Sequence, residues 1–569
     1  MNRKLTPSDC HIKVISSDFK GKTKLKEKWY GTEYSEKREE KLMKELSSLK
    51  LSDFPFFALP PKNILIPTDF TLVRSFSVIK DKKRKDELLN APPVLITPAQ
   101  KKTEEENENT KKWKVWYKLD ESFQQPKIYT IISLAVPSSS YNAAFLLKSK
   151  LFNSCFMDSI SEFIYDASLA GLSFDIEFTS KGVQFTLTGF SDKFELFANE
   201  VVNLLINFQP RESSFLRFKD VLEREFRSWK TQQPYQHVSY YTSLATETLQ
   251  FPIEELSETL KTIQISDITS FLKDSVQQSF GTALIMGNCD VKKAQRIIDI
   301  FDSSFSFSYL DESLRSHRDV KLIPLIASSP SSSSFSLQKL GYLIDNLEPN
   351  ENDDNSAVSF YFQLPTRDIS STSVLEVLAD ALENSFYDSL RTKQQLGYIV
   401  FSGLRFREGI YTLVFTVQSN LLPANEITDR ILTYLDSAVK YIESMDDKTF
   451  ASYKEGIITR KLEPDQRLTQ QAGRFWSEIV LGDKLQTPNF YRHQQEAEII
   501  KKLSLKDFKA FALNILKEDG AARHLLVSQV TSKKTKSKRE GGAVADGKIE
   551  QRFDIVPDVL AFMSSQPPV

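Results

Sequence analysis

The clearest pattern in the chain is an apolar helical face that leads into an apolar strand. Apolar residues recur there at three- and four-residue spacings, which is typical of an amphipathic helix packed on a core: Val374, Leu375, Leu378, Leu382 and Phe386. Gly397 breaks this period, and Tyr398 to Phe401 is an aromatic and β-branched run typical of a strand. We expect the helix to end near Gln395 and the strand to begin at Tyr398.

The same order of strands and helices occurs twice. The first copy is predicted to have strands at 128–136, 173–178 and 183–189 and helices at 143–170, 193–207 and 212–230. The second has predicted strands at 357–364, 398–404 and 410–419 and helices at 373–392, 425–444 and 447–462. Matching Gly171 with Gly397 gives a repeat of about 225 residues, which suits two duplicated α+β domains.

Other segments mark the boundaries of these copies. The serine- and proline-rich stretch 326–334 separates them, and we place the division near residue 320. Residues 10–19 alternate like a strand without a preceding partner, so the chain begins as though in mid-domain. Residues 36–49 predict a charged helix, and the apolar, proline-rich stretch 54–61 is expected to lie against another surface.

Composition excludes several classes of protein. Lys and Arg number 74 against 75 Asp and Glu, so no overall field favours nucleic acid or an anionic membrane. The basic stretch 533–539 lacks interleaved aromatics and is interpreted as a solvated loop. Three widely spaced cysteines indicate no disulfide framework, and no apolar run has the length of a membrane span. We therefore expect a cytoplasmic protein.

Arg391 and Tyr398 flank the predicted helix-to-strand corner. A guanidinium with five donors and a phenol with one could converge there on a peptide carbonyl or a developing oxyanion. Spacing alone favours the alternative in which Arg391 is a solvated cation at a helix end and Tyr398 is a half-buried strand residue, because helix C-termini favour cations. Both interpretations remain open at this point.

The histidines offer no metal site. They are widely spaced, and no H-x-x-E-H motif places two imidazoles on one helix face: His11, His237, His317, His493 and His524. His237 is interpreted as a structural hydrogen-bonding residue at a helix start. Residues 542–549 resemble a phosphate loop, but Ile549 replaces the hydroxyl residue and no strand precedes them, so we reject that site.

Several motifs together carry a resemblance to a known family. The string from Leu390 to Gly403, LRTKQQLGYIVFSG, closely resembles a segment in the C-terminal half of insulysin-type zinc metallopeptidases. Further similar pieces follow the family's order along nearly the whole chain: Glu27–Tyr34, Leu169–Asp175, Gln233–His237, Met286–Asn288 and Phe475–Ile479.

The resemblance implies a fold and a division of the chain. Insulysin-type enzymes have four homologous α+β domains in two halves that close around short peptides. Residues 1–36 then correspond to the end of the preceding domain and the linker between the halves. Residues 37–320 correspond to the third domain, and residues 321–569 to the fourth domain with a polar, basic C-terminal loop. The expected fold is α+β, with two insulysin-type α/β sandwich domains in tandem after the linker.

The resemblance also implies a function. In the family, the residues at the positions of Arg391 and Tyr398 reach toward the substrate at the zinc of the N-terminal half, and Tyr387 matches a nearby aromatic of the chamber. We therefore expect the non-zinc half of a zinc metalloendopeptidase, inactive by itself, which binds peptide substrates. Its other partner would be a zinc-bearing N-terminal half, either in the same longer chain or in a separate polypeptide. This chain would bind no metal, nucleic acid or membrane. Without its partner it is expected to self-associate. A stand-alone peptide-binding or assembly subunit is the alternative.

Overall fold

The computed structural model describes residues 11–50, 61–73, 87, 91–96, 112–316, 319–326, 339–485, 487–537 and 552–569. The chain divides into two units, Met1–Ile64 and Leu65–Val569. The apolar segment 54–61, most of the serine-rich stretch and the phosphate-loop resemblance at 542–549 lie outside the described residues. No helix among the described residues has both the length and the apolar character that crossing a membrane requires.

The described part of the first unit contains little regular structure. Strands β1 (Leu25–Lys26) and β2 (Glu33–Tyr34) pair antiparallel, and helix α1 (Glu40–Ser48) confirms the predicted charged helix. The strand predicted over residues 10–19 is wrong for its described part, because residues 11–16 form no regular structure and a 3₁₀ turn follows at Ser17–Phe19. An extended segment becomes a strand only beside a partner, and among the described residues none pairs with it.

The second unit begins with a seven-stranded sheet. Its strands are β3 (Val94–Ile96), β4 (Trp113–Leu119), β5 (Lys127–Ala135), β6 (Ser173–Thr179), β7 (Gly182–Phe190), β8 (Gln278–Gly287) and β9 (Ser308–Tyr309). They run in the order β3-β4-β8-β5-β7-β6, and β9 pairs with β8. The helices are α2 (Ala143–Ser159), α3 (Ser161–Leu169), α4 (Phe194–Ile206), α5 (Glu212–Ser228), α6 (Pro234–Thr246), α7 (Ile253–Thr262), α8 (Ile265–Ser275) and α9 (Val291–Phe305). Residues of α2, α4 and α8 share one core with this sheet.

A six-stranded sheet follows in the same unit. Its strands are β10 (Tyr342–Leu347), β11 (Ser356–Gln363), β12 (Val400–Arg407), β13 (Ile410–Ser419), β14 (Leu525–Thr531) and β15 (Asp554–Ile555). Its helices are α10 (Ile369–Tyr387), α11 (Ala424–Ser444), α12 (Asp447–Leu462), α13 (Leu468–Leu485), α14 (Arg492–Lys502), α15 (Leu505–Leu516), α16 (Lys533–Ser537) and α17 (Val559–Ser565). β14 is an inner strand in the order β12-β13-β11-β14-β10-β15.

The two sheets have the same topology. The series β4-β8-β5-β7-β6 in the first corresponds strand for strand to β10-β14-β11-β13-β12 in the second. In each, one inner pair is parallel (β4 with β8, β10 with β14), and the other pairs in these series are antiparallel. This identity of order and direction confirms the α+β fold with a tandem arrangement.

Each copy contributes one helix to the sheet of the other. Helix α6, from the first copy, packs Val238 against Ala357 and Val530 of the second sheet. Helix α13, from the second copy, packs Phe475 and Ile479 into a cluster with residues of β5 and β8 in the first sheet. Because both helices cover a sheet face that would otherwise be exposed, the copies are held together by apolar burial.

His237 fixes α6 in place, as a structural hydrogen-bonding residue. Its buried ring has Nδ1 3.2 Å from Glu348 Oε2 and Nε2 2.8 Å from the Trp229 carbonyl oxygen. Burial favours the neutral ring, but the bonds to Glu348 and Trp229 outweigh it and raise the pKa of His237. Both partners accept hydrogen bonds, so a doubly protonated imidazole satisfies both.

We predict that His237→Gln destabilises the protein more at acidic than at basic pH. The folded-state pKa of His237 is raised above the unfolded value of about 6.5, so its contribution is complete below that pH and is lost as pH rises through the folded-state pKa. Melting temperatures of both proteins across this range measure the difference. His11→Gln, at an exposed position, is the control. A difference in melting temperature that does not vary with pH would contradict the assignment.

Candidate functional site

The predicted corner lies at the end of α10. After Tyr387 the helix widens into a π-helical turn, Asp388–Lys393, and the backbone leaves helical geometry at Gln395, whose φ is 53°. Leu390 and Leu396 are buried, and the Leu396 N–H donates to the Leu390 carbonyl over 3.1 Å. The expected end of the helix near Gln395 is therefore confirmed. Turns of this type occur often at functional sites.

The strand begins two residues later than predicted. β12 starts at Val400, which is buried, whereas Tyr398 is exposed and precedes the sheet. Gly397 passes so close to β13 that an added Cβ would lie 2.0 Å from the Gln418 carbonyl oxygen. The aromatic and β-branched run therefore enters the sheet only after this close approach, which a side chain would prevent.

Gln418 also attaches the corner to the first copy. Its side-chain Nε2 donates to Gln233 Oε1 over 2.8 Å, and its Oε1 accepts from the Tyr235 N–H over 3.1 Å. Gln233 is the N-cap of α6, where Gln236 completes a capping box. The sequence motif Gln233–His237 thus helps to hold the corner in place through its hydrogen bonds to Gln418.

The structure brings Arg391 and Tyr398 together. Arg391 Nη1 donates to the Gly397 carbonyl over 2.9 Å, and the guanidinium carbon lies 4.9 Å from the centroid of the Tyr398 ring. This is cation–π geometry. Arg391 is half-buried, so it is not a freely solvated cation at a helix end. Tyr398 is 83% exposed, so the half-buried strand interpretation of Tyr398 is wrong.

The Tyr398 hydroxyl has no hydrogen-bond partner among the described residues, and Arg391 has no other acceptor there than Gly397. The corner therefore presents unused donors next to each other. Tyr387, one turn before Arg391, is 49% exposed. Within the described part of the chain, no hydrogen bond or ring contact joins Tyr387 to the other two residues.

A charged cavity of about 720 Å³ lies beside β12 and was not predicted from the sequence. At its wall the Lys461 ammonium lies 2.6 Å from Glu376 Oε2 and 2.7 Å from Glu496 Oε2. Burial opposes the charge, but these two carboxylates outweigh it and raise the pKa of Lys461. The three residues come from α10, α12 and α14, so no local motif could have indicated the cavity.

The residues do not fit a zinc site. In the part of the chain that the structure describes, no group of three or more His, Cys, Asp or Glu side chains has an arrangement that could hold a metal ion. His237 is engaged as above, and His524 Nδ1 lies 2.6 Å from the Ile323 carbonyl oxygen. No chemical step of this chain is therefore assigned to zinc.

Comparisons with known proteins agree with this architecture. Residues 1–259 match the family described as the middle or third domain of peptidase M16, and residues 377–476 match the C-terminal lobe domain 4 of PqqF-like PQQ synthases. The human insulin-degrading enzyme is 26% identical over 536 residues, covering 94% of this chain and 49% of that protein. The chain is a homologue of the C-terminal half of the insulysin-like M16 peptidases. The resemblance seen in the sequence is thus confirmed.

Other relatives match similar shares of this chain and of their own length. The peroxisomal insulin-degrading enzyme-like protein 1 of Arabidopsis thaliana is 27% identical, over 99% of this chain and 54% of that protein. The crystal structure of pitrilysin superimposes with a TM-score of 0.71 at 16% identity, covering 93% of this chain and 51% of that chain. The chain spans about half the length of the curated relatives it matches.

We predict that Gly397→Ala destabilises the protein by about 1–3 kcal/mol, because the added methyl group meets the Gln418 carbonyl at 2.0 Å. Gly456→Ala is a matched control: it lies within α12 with no atom within 4 Å of the added Cβ, and should stabilise the protein by about 0.5–1 kcal/mol. Urea unfolding measures both. Equal effects of the two substitutions would show that the corner tolerates a side chain.

We also predict that the purified chain holds no stoichiometric zinc, because its described residues lack a set of ligands. Elemental analysis after dialysis against a weak chelator measures the content. One tightly held zinc per chain would refute this prediction.

Proposed function

We propose that this chain acts as the non-zinc half of an insulysin-like metalloendopeptidase that degrades short peptides. The observation that carries the proposal is the pair of adjacent donors at the corner, the half-buried Arg391 and the exposed Tyr398. The zinc chemistry would come from an N-terminal half, in the same longer chain or in a separate polypeptide. This chain would supply a wall of the peptide chamber and contacts to the substrate.

The two residues would have different roles. The Tyr398 phenol donates a hydrogen bond to the substrate carbonyl oxygen and binds it more strongly as negative charge develops. Arg391 binds a backbone carbonyl of the peptide through guanidinium N–H groups that Gly397 does not engage. Because the Gly397 bond and the Tyr398 ring already hold the guanidinium, little side-chain freedom remains to be lost on binding. Tyr387, exposed one turn earlier, would contact the same peptide.

The proposal includes the division of the chain and its location. Residues 37–320 and 321–569 would be the third and fourth domains of the complete enzyme, and residues 1–36 would connect them to the N-terminal half. The partner is that zinc-bearing half, and self-association would occur where it is absent. We propose a cytoplasmic location, with which the two buried free thiols, Cys155 and Cys289, are compatible.

With an insulysin-type N-terminal half added to restore activity, Tyr398→Phe should lower kcat by about 10²- to 10³-fold with little change in KM, since the contact strengthens mainly in the transition state. Arg391→Ala should lower kcat and raise KM, because a guanidinium that holds the peptide backbone also contributes to ground-state binding. Steady-state kinetics on a quenched fluorescent peptide measure both effects.

Tyr165→Phe is the control, because Tyr165 is a similarly exposed tyrosine on α3, far along the chain from the corner. Melting temperatures separate loss of activity from loss of fold. An unchanged kcat in a fully folded Tyr398→Phe protein would remove Tyr398 from the reaction.

A further inference from the structure

The two sheets end in corresponding edge strands with different surfaces. β6, at the edge of the first sheet, exposes Ser173, Asp175 and Glu177. β12, at the edge of the second, exposes the aromatic side chains of Phe401 and Phe406, 46% and 45% accessible, and a single charged side chain, Arg407. Charges on an exposed edge discourage pairing with another strand, whereas apolar side chains favour it. β12 is therefore the edge that is better suited to accept a further strand.

The hydrogen-bond pattern shows which groups of β12 are free. The Gln418 N–H donates to the Ile399 carbonyl over 2.9 Å, so alternate residues from Ile399 onward bond to β13. The N–H and C=O groups of the residues between them point away from the sheet: Ser402, Leu404 and Phe406. Among the described residues, no element other than β13 contributes a backbone hydrogen bond to β12.

The same residues border the charged cavity. Leu404 and Phe406 line it on one side, and Glu376, Asp380 and Glu383 of α10 line it on another. Ser402 shares their face, and its buried hydroxyl has no hydrogen-bond partner among the described residues. A strand added to β12 would thus place every second side chain over the cavity.

The cavity favours a positively charged occupant. Its lining includes seven Asp and Glu residues but five Arg and Lys residues. The Lys461 ammonium is already shared by two carboxylates, and Arg460 pairs with Asp380 at 2.5 Å. Glu383 and Glu463 are exposed and form no ion pair with a described residue. A basic side chain entering the cavity would meet these two carboxylates.

We propose that β12 binds an extended basic peptide segment as an additional antiparallel strand, with alternate Lys or Arg side chains directed into the cavity. The main-chain groups of Ser402, Leu404 and Phe406 bond the peptide, and Glu383 and Glu463 select its charge. This site requires no zinc-bearing half and no catalysis. Its failure would leave the kinetic roles of Arg391 and Tyr398 untouched, since those are measured separately.

The test uses the full chain and a fluorescein-labelled peptide that alternates valine and lysine over six residues, with binding followed by anisotropy. In an antiparallel pair, directly opposed residues point to the same face, and every second opposed pair exchanges both hydrogen bonds. On the outer side of β12 these are the pairs formed by Ser402, Leu404 and Phe406. The lysines that enter the cavity are therefore also the residues whose N–H groups face β12. N-methylation of the three lysines should weaken binding at least about tenfold, whereas N-methylation of the three valines should change it less than about twofold.

The charge requirement is tested in parallel. The Glu383→Gln and Glu463→Gln double variant should bind the lysine peptide about three- to tenfold more weakly, and Glu223→Gln, an exposed carboxylate on α5, should have no effect. A valine and glutamate peptide should bind at least about tenfold more weakly than the lysine peptide. The proposal is overturned by any of three results: no saturable binding, equal weakening of binding by the two N-methylation patterns, or a glutamate peptide that binds as tightly as the lysine peptide.

Discussion

An exchange of helices holds the two copies together, and the position of the corner follows from it. α6 buries Val238 against the second sheet, and α13 buries Phe475 against the first. The Trp476 indole N–H also donates to Gln184 Oε1 over 2.9 Å, which fixes the position of α13. Since the start of α6 also holds Gln418, the corner that carries Arg391 is positioned by both copies of the duplication.

Local patterns predicted much of the fold. β13 and α12 were expected at 410–419 and 447–462 and occur at Ile410–Ser419 and Asp447–Leu462, because alternation and helical period are properties of neighbouring residues. The proximity of Arg391 and Tyr398 could also be predicted from the sequence, since seven positions separate them across one turn. The strand prediction was wrong for residues 11–16, because strand formation depends on a partner that the local sequence does not contain.

Contacts that join distant parts of the chain could not be predicted from patterns among neighbouring residues. Gln184 and Trp476 are 292 positions apart, and Gln233 and Gln418 are 185 positions apart. The Lys461 network likewise joins three helices. Its stability depends on all three members, because removing one partner of a buried ion pair leaves an uncompensated charge that costs about 3–5 kcal/mol. Polar residues at such spacings in a sequence look the same as solvated surface residues.

The π-helical turn Asp388–Lys393 makes the length of this segment as important as its composition. A π turn contains one residue more than an α turn, and each residue advances an α-helix by about 100°. Deletion of one residue here would restore the α-helical phase and rotate the guanidinium of Arg391 away from the Gly397 carbonyl, although every side chain of the corner remained. Insertions and deletions at this turn are therefore more damaging than most substitutions within it.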